Sequence, residues 1–107
     1  MSLYHPRPED FEIEAVLNAL SDPTRLRIVE RLAGTDEPCP CGTFGLDVTK
    51  STLTHHFRVL REAGVIRQET SGTSKLNCLR REDLDARFPG LLDAVLTAAS
   101  RPVASAV

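Results

Sequence analysis

A mainly α fold with a small β component (α+β) is what the sequence predicts, and three observations predict it. Apolar residues recur at helical spacing in four separate segments. Between the third and the last of these, "VIRQETSGTSKLNCLR" reads as two short strands about a Ser-Gly-Thr-Ser turn. The chain of 107 residues suits one domain of ordinary size and is short of two, so residues 1–107 are read as a single domain.

Each element has a local reason. Phe11, Ile13, Val16, Leu17 and Leu20 make an amphipathic first helix that begins after "HPRPED" and ends near Ser21-Asp22-Pro23. In "SDPTRLRIVERLAG", Asp22 caps a second helix and Pro23 takes its first position; Leu26, Ile28, Val29 and Leu32 supply the inner face and Gly34 marks the stop. In "TDEPCPCGTFGLDV" four residues, Pro38, Pro40, Gly42 and Gly45, oppose a long helix and leave at most a short turn around Thr43 to Leu46. Thr49 then caps a third helix, Lys50 to Ala63, which Gly64 closes in the left-handed conformation. Strands are expected over Val65–Glu69 and Lys75–Arg80. Leu84, Phe88, Leu91, Leu92, Val95 and Leu96 form the last helix, which Pro89-Gly90 kinks or breaks near its start.

The third helix carries the functional signal. In "STLTHHFRVLREAG", Leu53, Phe57 and Leu60, with His56 between, share a face that should be buried. Ser51, Thr54, His55, Arg58, Arg61 and Glu62 lie opposite, short hydrogen-bonding groups first and cations further along. Charge is distributed to match. Residues 1–49 carry four Lys/Arg against nine Asp/Glu, a balance of −5; residues 50–81 carry seven against two, +5; residues 82–107 carry two against four, −2. A basic middle within an acidic chain is the footprint of one surface that meets phosphates while the rest keeps the protein soluble. Several helices with a hairpin directly after a polar-faced helix is the layout of a winged helix-turn-helix with a two-stranded β-wing.

Two stretches, "LNALSDPTRLRIVERLAG" and "KSTLTHHFRVLREAGVI", at this separation resemble the ArsR/SmtB family of bacterial winged-helix transcriptional repressors, over about residues 11–96. The resemblance implies N- and C-terminal dimerisation helices, a homodimer bound to double-stranded operator DNA, and repression until a ligand releases it. Apolar stripes on the first and last helices, Leu92 and Val95 among them, are compatible with burial against a symmetric partner; packing within the subunit is the alternative.

On the outer face of the third helix, Ser51, Thr52, Thr54 and His55 are candidates for base-edge or phosphate contacts, and Lys50 and Arg58 for phosphates. Local capping is the competing role for Ser51. His56 is read as an interior, hydrogen-bonded histidine. In the wing, Arg67, Lys75, Arg80 and Arg81 are candidates for backbone phosphates, with strand alternation allowing only some to point that way.

Cys39 and Cys41 fall where arsenic- and cadmium-type sensors of the family carry a "CxC" of thiolate ligands, so a soft metal ion is the one cofactor to consider. The neighbouring third cysteine of the arsenic sensors is absent, and the last helix lacks the histidines of the zinc sensors, offering Asp83, Asp85 and Asp93. Inert thiols, metal sensing and thiol oxidation stand as alternatives.

The sequence therefore predicts a cytoplasmic, dimeric, non-catalytic DNA-binding repressor with no membrane contact, derepressed by a thiophilic metal or thiol oxidation if its cysteines sense anything. Its rivals are a winged-helix protein-interaction module and a small thiol enzyme. The polar face and the +5 segment oppose the first; the lack of a C-x-x-C spacing or a neighbouring base opposes the second. No apolar run approaches 18 residues, and "MSLYHPRPEDFEIE" lacks the apolar core of a signal peptide.

Overall fold

Helix boundaries follow the capping residues closely. A computed structural model describes residues 3–40 and 48–100. A short 3-10 turn, Pro8–Asp10, leads to α1 (Ile13–Leu20). α2 (Pro23–Ala33) starts where Asp22 Oδ2 accepts from the Thr24 and Arg25 amides at 2.9 and 3.1 Å, with Pro23 at a position that needs no amide. α3 (Lys50–Ala63) is capped by Thr49, whose Oγ1 accepts from Thr52 N at 3.2 Å, and ends on Gly64 at φ 93°.

The wing is part of a larger sheet than the sequence predicts. β2 (Ile66–Ser71) and β3 (Ser74–Leu79) form the expected antiparallel hairpin, but β1 (Cys39–Pro40) adds to the far side of β3, giving the order β1-β3-β2. The two-stranded wing is thus the outer part of a three-stranded sheet. A two-residue strand that follows Pro38 and includes Pro40 carries no periodicity to reveal it. Pro40 is accommodated because β1 is an edge, where a missing amide costs little. Ser71 pairs with Ser74, so the loop is Gly72-Thr73, and Gly72 alone has positive φ (63°), the pattern of a type II′ turn. The short turn expected around Thr43 to Leu46 lies outside the described residues.

Pro89 and Gly90 break the last helix outright. α4 (Arg81–Arg87) and α5 (Leu91–Ser100) are separate, and Gly90 at φ 83° turns the chain between them. The core draws on every α-helix: Val16, Ala19 and Leu20 from α1, Ile28, Val29 and Leu32 from α2, Phe57 and Leu60 from α3, Leu84 from α4 and Leu92 from α5. Burying side chains such as Phe57 and Leu60 contributes about 1.5–3 kcal/mol each, which seats the inner face of α3 on this base.

Of the two roles open to the stripe on the last helix, Leu92 takes the internal one. At 1% exposure it packs inside its own subunit, while Val95 and Leu96 are half-buried against the core. On α1, Ile13 and Leu17 are 36% and 47% exposed at i, i+4 spacing and form the more open of the two stripes. Among the described residues, no helix is long and apolar enough to cross a membrane.

Candidate nucleic-acid interface

The N-terminal end of α3 presents a cluster of hydroxyls to solvent. Thr49 Oγ1 donates to Thr52 Oγ1 at 2.8 Å and lies 3.4 Å from Ser51 Oγ. Thr52 is thereby drawn into the cap, whereas Ser51 and His55 stand exposed one turn apart. Thr54 Oγ1 donates its proton to Lys50 O at 3.0 Å, so its outward lone pairs act as an acceptor.

Lys50, Thr54 and Arg58 recur every fourth residue and form one exposed stripe along α3. Lys75 of β3 faces this stripe across a groove of about 550 Å³. Leu3, Val48, Leu53 and Phe57 supply apolar walls, and no carboxylate is among the described residues that line it. Among the described residues, Lys50, Arg58 and Lys75 form no ion pair. Three cations at one opening, none paired with a described carboxylate, concentrate positive field there.

Two hydrogen-bond systems that the sequence reading missed hold α3 and the wing in place. Arg25 Nη1 donates to His56 Nδ1 at 3.1 Å, while its Nε and Nη2 donate to Ala19 O and Asn18 O at 2.8 and 3.2 Å. One guanidinium therefore ties the C-terminal end of α1 and the start of α2 to α3, and His56 is the buried, hydrogen-bonded residue the helical wheel predicts. At the root of the wing, Arg61 Nη1 donates to Gln68 Oε1, Gln68 Nε2 to Asn77 Oδ1, and Asn77 Nδ2 to Cys39 O, at 2.7, 2.7 and 2.9 Å. This relay crosses from α3 through both wing strands to β1. Asparagine and glutamine in strands carry no pattern that marks them as buried; only their cross-strand register does.

The segment before α1 is strapped to the same region. Arg61 Nε donates to Tyr4 O at 3.2 Å, Arg80 Nη1 to Pro6 O at 2.8 Å, and the Gln68 amide to His5 Nε2 at 2.9 Å. An accepting Nε2 requires a neutral ring, and burial lowers the His5 pKa; the Leu3 carbonyl opposes this, and the Arg80, Arg67 and Arg61 charges add to it. The stability this ring contributes is complete above its ordinary value of about 6.5 and is lost as pH falls through the lower value in the fold. Urea unfolding between pH 7 and pH 5 is expected to show a falling midpoint, with a shallower fall in His5→Gln; identical pH profiles would mean the ring does not hold the strap.

The sequence-predicted wing cations separate. Arg67 pairs with Cys78 across the hairpin, on the sheet face opposite Gln68 and Lys75, and lines a different cleft of about 400 Å³. Arg80 is not in a strand and does not face outward: it is 8% exposed, bonded to Asp83 and Pro6, with its guanidinium 4.9 Å from the Phe11 ring centroid. It holds α4 to the N-terminal strap. Arg81 is paired with Asp93 at 3.0 Å.

Cys39 sits half-buried in β1, its Sγ 3.5 Å from Glu37 O, and Cys41 lies outside the described residues. Cys78 falls on the other face of the sheet, where burial pushes its thiol pKa up and keeps it protonated. Soft metals take three or four ligands, and among the described residues no three His, Cys, Asp or Glu converge.

A polar, cation-bearing helix seated on a helical base beside a β-hairpin defines a winged helix-turn-helix domain. A helix-turn-helix domain model matches residues 20–69. The HTH-type transcriptional regulator YceK of Bacillus subtilis (strain 168) is 32% identical over 92 residues, 83% of this chain and 92% of that protein. The arsenical resistance operon repressor of the same organism is 34% identical over 73 residues, 67% of this chain and 70% of its own length. The crystal structure of an ArsR family transcriptional regulator shares the fold at a TM-score of 0.64 and 24% identity, covering 95% of this chain and 100% of that one. The chain belongs to the ArsR family of winged helix-turn-helix transcriptional regulators.

Proposed function

We propose that the protein is a cytoplasmic, homodimeric, non-catalytic repressor that lays α3 in the major groove of operator DNA and rests Lys75 of the wing on the adjacent backbone. The observation that carries this reading is the groove itself: Lys50, Thr54 and Arg58 on one side, Lys75 on the other, and no acid among the described residues that line it. Lys50, Arg58 and Lys75 neutralise phosphates, and Ser51, Thr54 and His55 reach base edges. Because the Thr54 proton is committed to Lys50 O, its hydroxyl reads a donor, the N6 amino group of adenine or the N4 amino group of cytosine. Arg67, on the far face of the sheet, is outside this set. The exposed Ile13 and Leu17 of α1 support assembly into a dimer, which presents two copies of α3 to paired half-sites.

Fluorescence anisotropy on the chain's own upstream region and on a scrambled duplex of equal length tests the reading. The expected result is binding at least about 10³-fold tighter to the former at physiological salt. Equal, weak binding to both would favour a protein-interaction module that has kept the fold and lost its operator.

A further inference from the structure

The groove between α3 and the wing has a property that contact with phosphates does not require. A phosphate backbone needs cations at the rim, but this groove also has apolar walls from Leu53, Phe57 and Val48 beneath them. Its volume of about 550 Å³ lies in the range of small-molecule sites. Walls that are apolar and a rim that is cationic, with no carboxylate among the described lining residues, are complementary to a molecule with an apolar body and one negative charge. Among the described residues, Lys50, Arg58 and Lys75 have no ion pair to break before they bind it.

We propose that this groove binds a free organic anion with an apolar body, of the medium-chain carboxylate type, and that the bound anion excludes DNA. The inference rests on the DNA-binding reading, because the ligand would cover Lys50, Thr54, Arg58 and Lys75, the side chains assigned there to the operator. Release then needs no change of shape: ligand and phosphates compete for the same cations, and occupancy of one lowers affinity for the other reciprocally. At a ligand concentration ten times its dissociation constant, apparent operator affinity falls about elevenfold.

The test uses octanoate as the probe and 1-octanol as its uncharged counterpart, titrated into the full-length, isotope-labelled protein and followed by amide chemical shifts. Octanoate is expected to shift Val48, Leu53, Thr54 and Gln68 saturably, to bind at least about tenfold more tightly than 1-octanol, and to bind several-fold more weakly to Lys75→Ala but not to Arg27→Ala, which is exposed on α2 and away from the groove. In a parallel anisotropy titration, operator affinity should fall in proportion to octanoate at constant ionic strength. No saturable shift, shifts confined to Ile13 and Leu17 of α1, or equal affinity for octanol would overturn the proposed site. Simultaneous binding of octanoate and DNA without mutual loss would overturn the exclusion. If the protein fails to bind its upstream duplex even without octanoate, the DNA-binding reading falls, while the shift titration still decides the groove.

Discussion

Replacing Gly64 with alanine is expected to destabilise the protein by about 2–5 kcal/mol, the largest effect of any single methyl group added here. Two costs combine. At φ 93° the backbone sits where L-residues with a Cβ are strained by about 1–2 kcal/mol. A Cβ at this position would also overlap the ring of Phe11, coming within 2.7 Å of Cδ1 and Cζ. The ring cannot swing aside freely, because it is buried and Arg80 is stacked over it. Gly72→Ala provides the comparison: its φ of 63° carries strain alone, since nothing lies within 4 Å of the added atom. Urea midpoints should place Gly64→Ala well below Gly72→Ala; equal midpoints would mean that Phe11 does not seat the end of α3.

Leu17→Glu is expected to give folded monomers whose operator affinity falls by about 10²- to 10⁴-fold. Leu17 is 47% exposed on α1, so the charge costs the subunit little, but it would be buried at a symmetric interface. Loss of the dimer removes the second half-site, which otherwise binds as an intramolecular event. Leu92→Glu should behave differently. Its side chain is 1% exposed in the subunit core, so a carboxylate there is expected to unfold the protein before assembly is in question. Sedimentation together with circular dichroism separates the two outcomes: a Leu17→Glu protein that remains dimeric would move the interface off α1.

The parts of this structure that were legible in sequence are those set by local chemistry. Asp22-Pro23, Thr49 and Gly64 each act through a backbone group within a few residues, so α2 and α3 were bounded correctly before any tertiary contact was known. Ser-Gly-Thr-Ser placed the hairpin for the same reason. What was not legible depends on distant partners. β1 exists because β3 offers an open edge to Cys39 and Pro40, a fact absent from their own neighbourhood. Arg80 resembles the other wing cations until Pro6 and Phe11, 74 and 69 positions away in the chain, close over it. Leu92 and Leu17 are equally apolar and equally periodic; only the packing of the helices against one another decides which one faces inward.

The candidate site divides in the same way. Helical periodicity was enough to put Lys50, Thr54 and Arg58 on one stripe and His56 beneath it, because those relations follow from 3.6 residues per turn. It could not show that Lys75 faces the stripe while Arg67 faces away. That distinction is fixed by strand register, in which a shift of one residue exchanges the two faces. Arg25 was missed because its role consists of reaching three elements at once.

The most direct measurement of the central claim is the salt dependence of operator binding, compared across wild type, Lys50→Ala, Arg58→Ala and Thr54→Ala. The account predicts that each charge variant weakens specific and scrambled DNA alike and lowers the slope of log K against log salt by about one per half-site. Thr54→Ala should leave that slope unchanged and narrow the gap between the two duplexes, since an acceptor to a base edge carries sequence and no charge. Unchanged slopes in both charge variants would contradict the account and remove this face of α3 from the DNA.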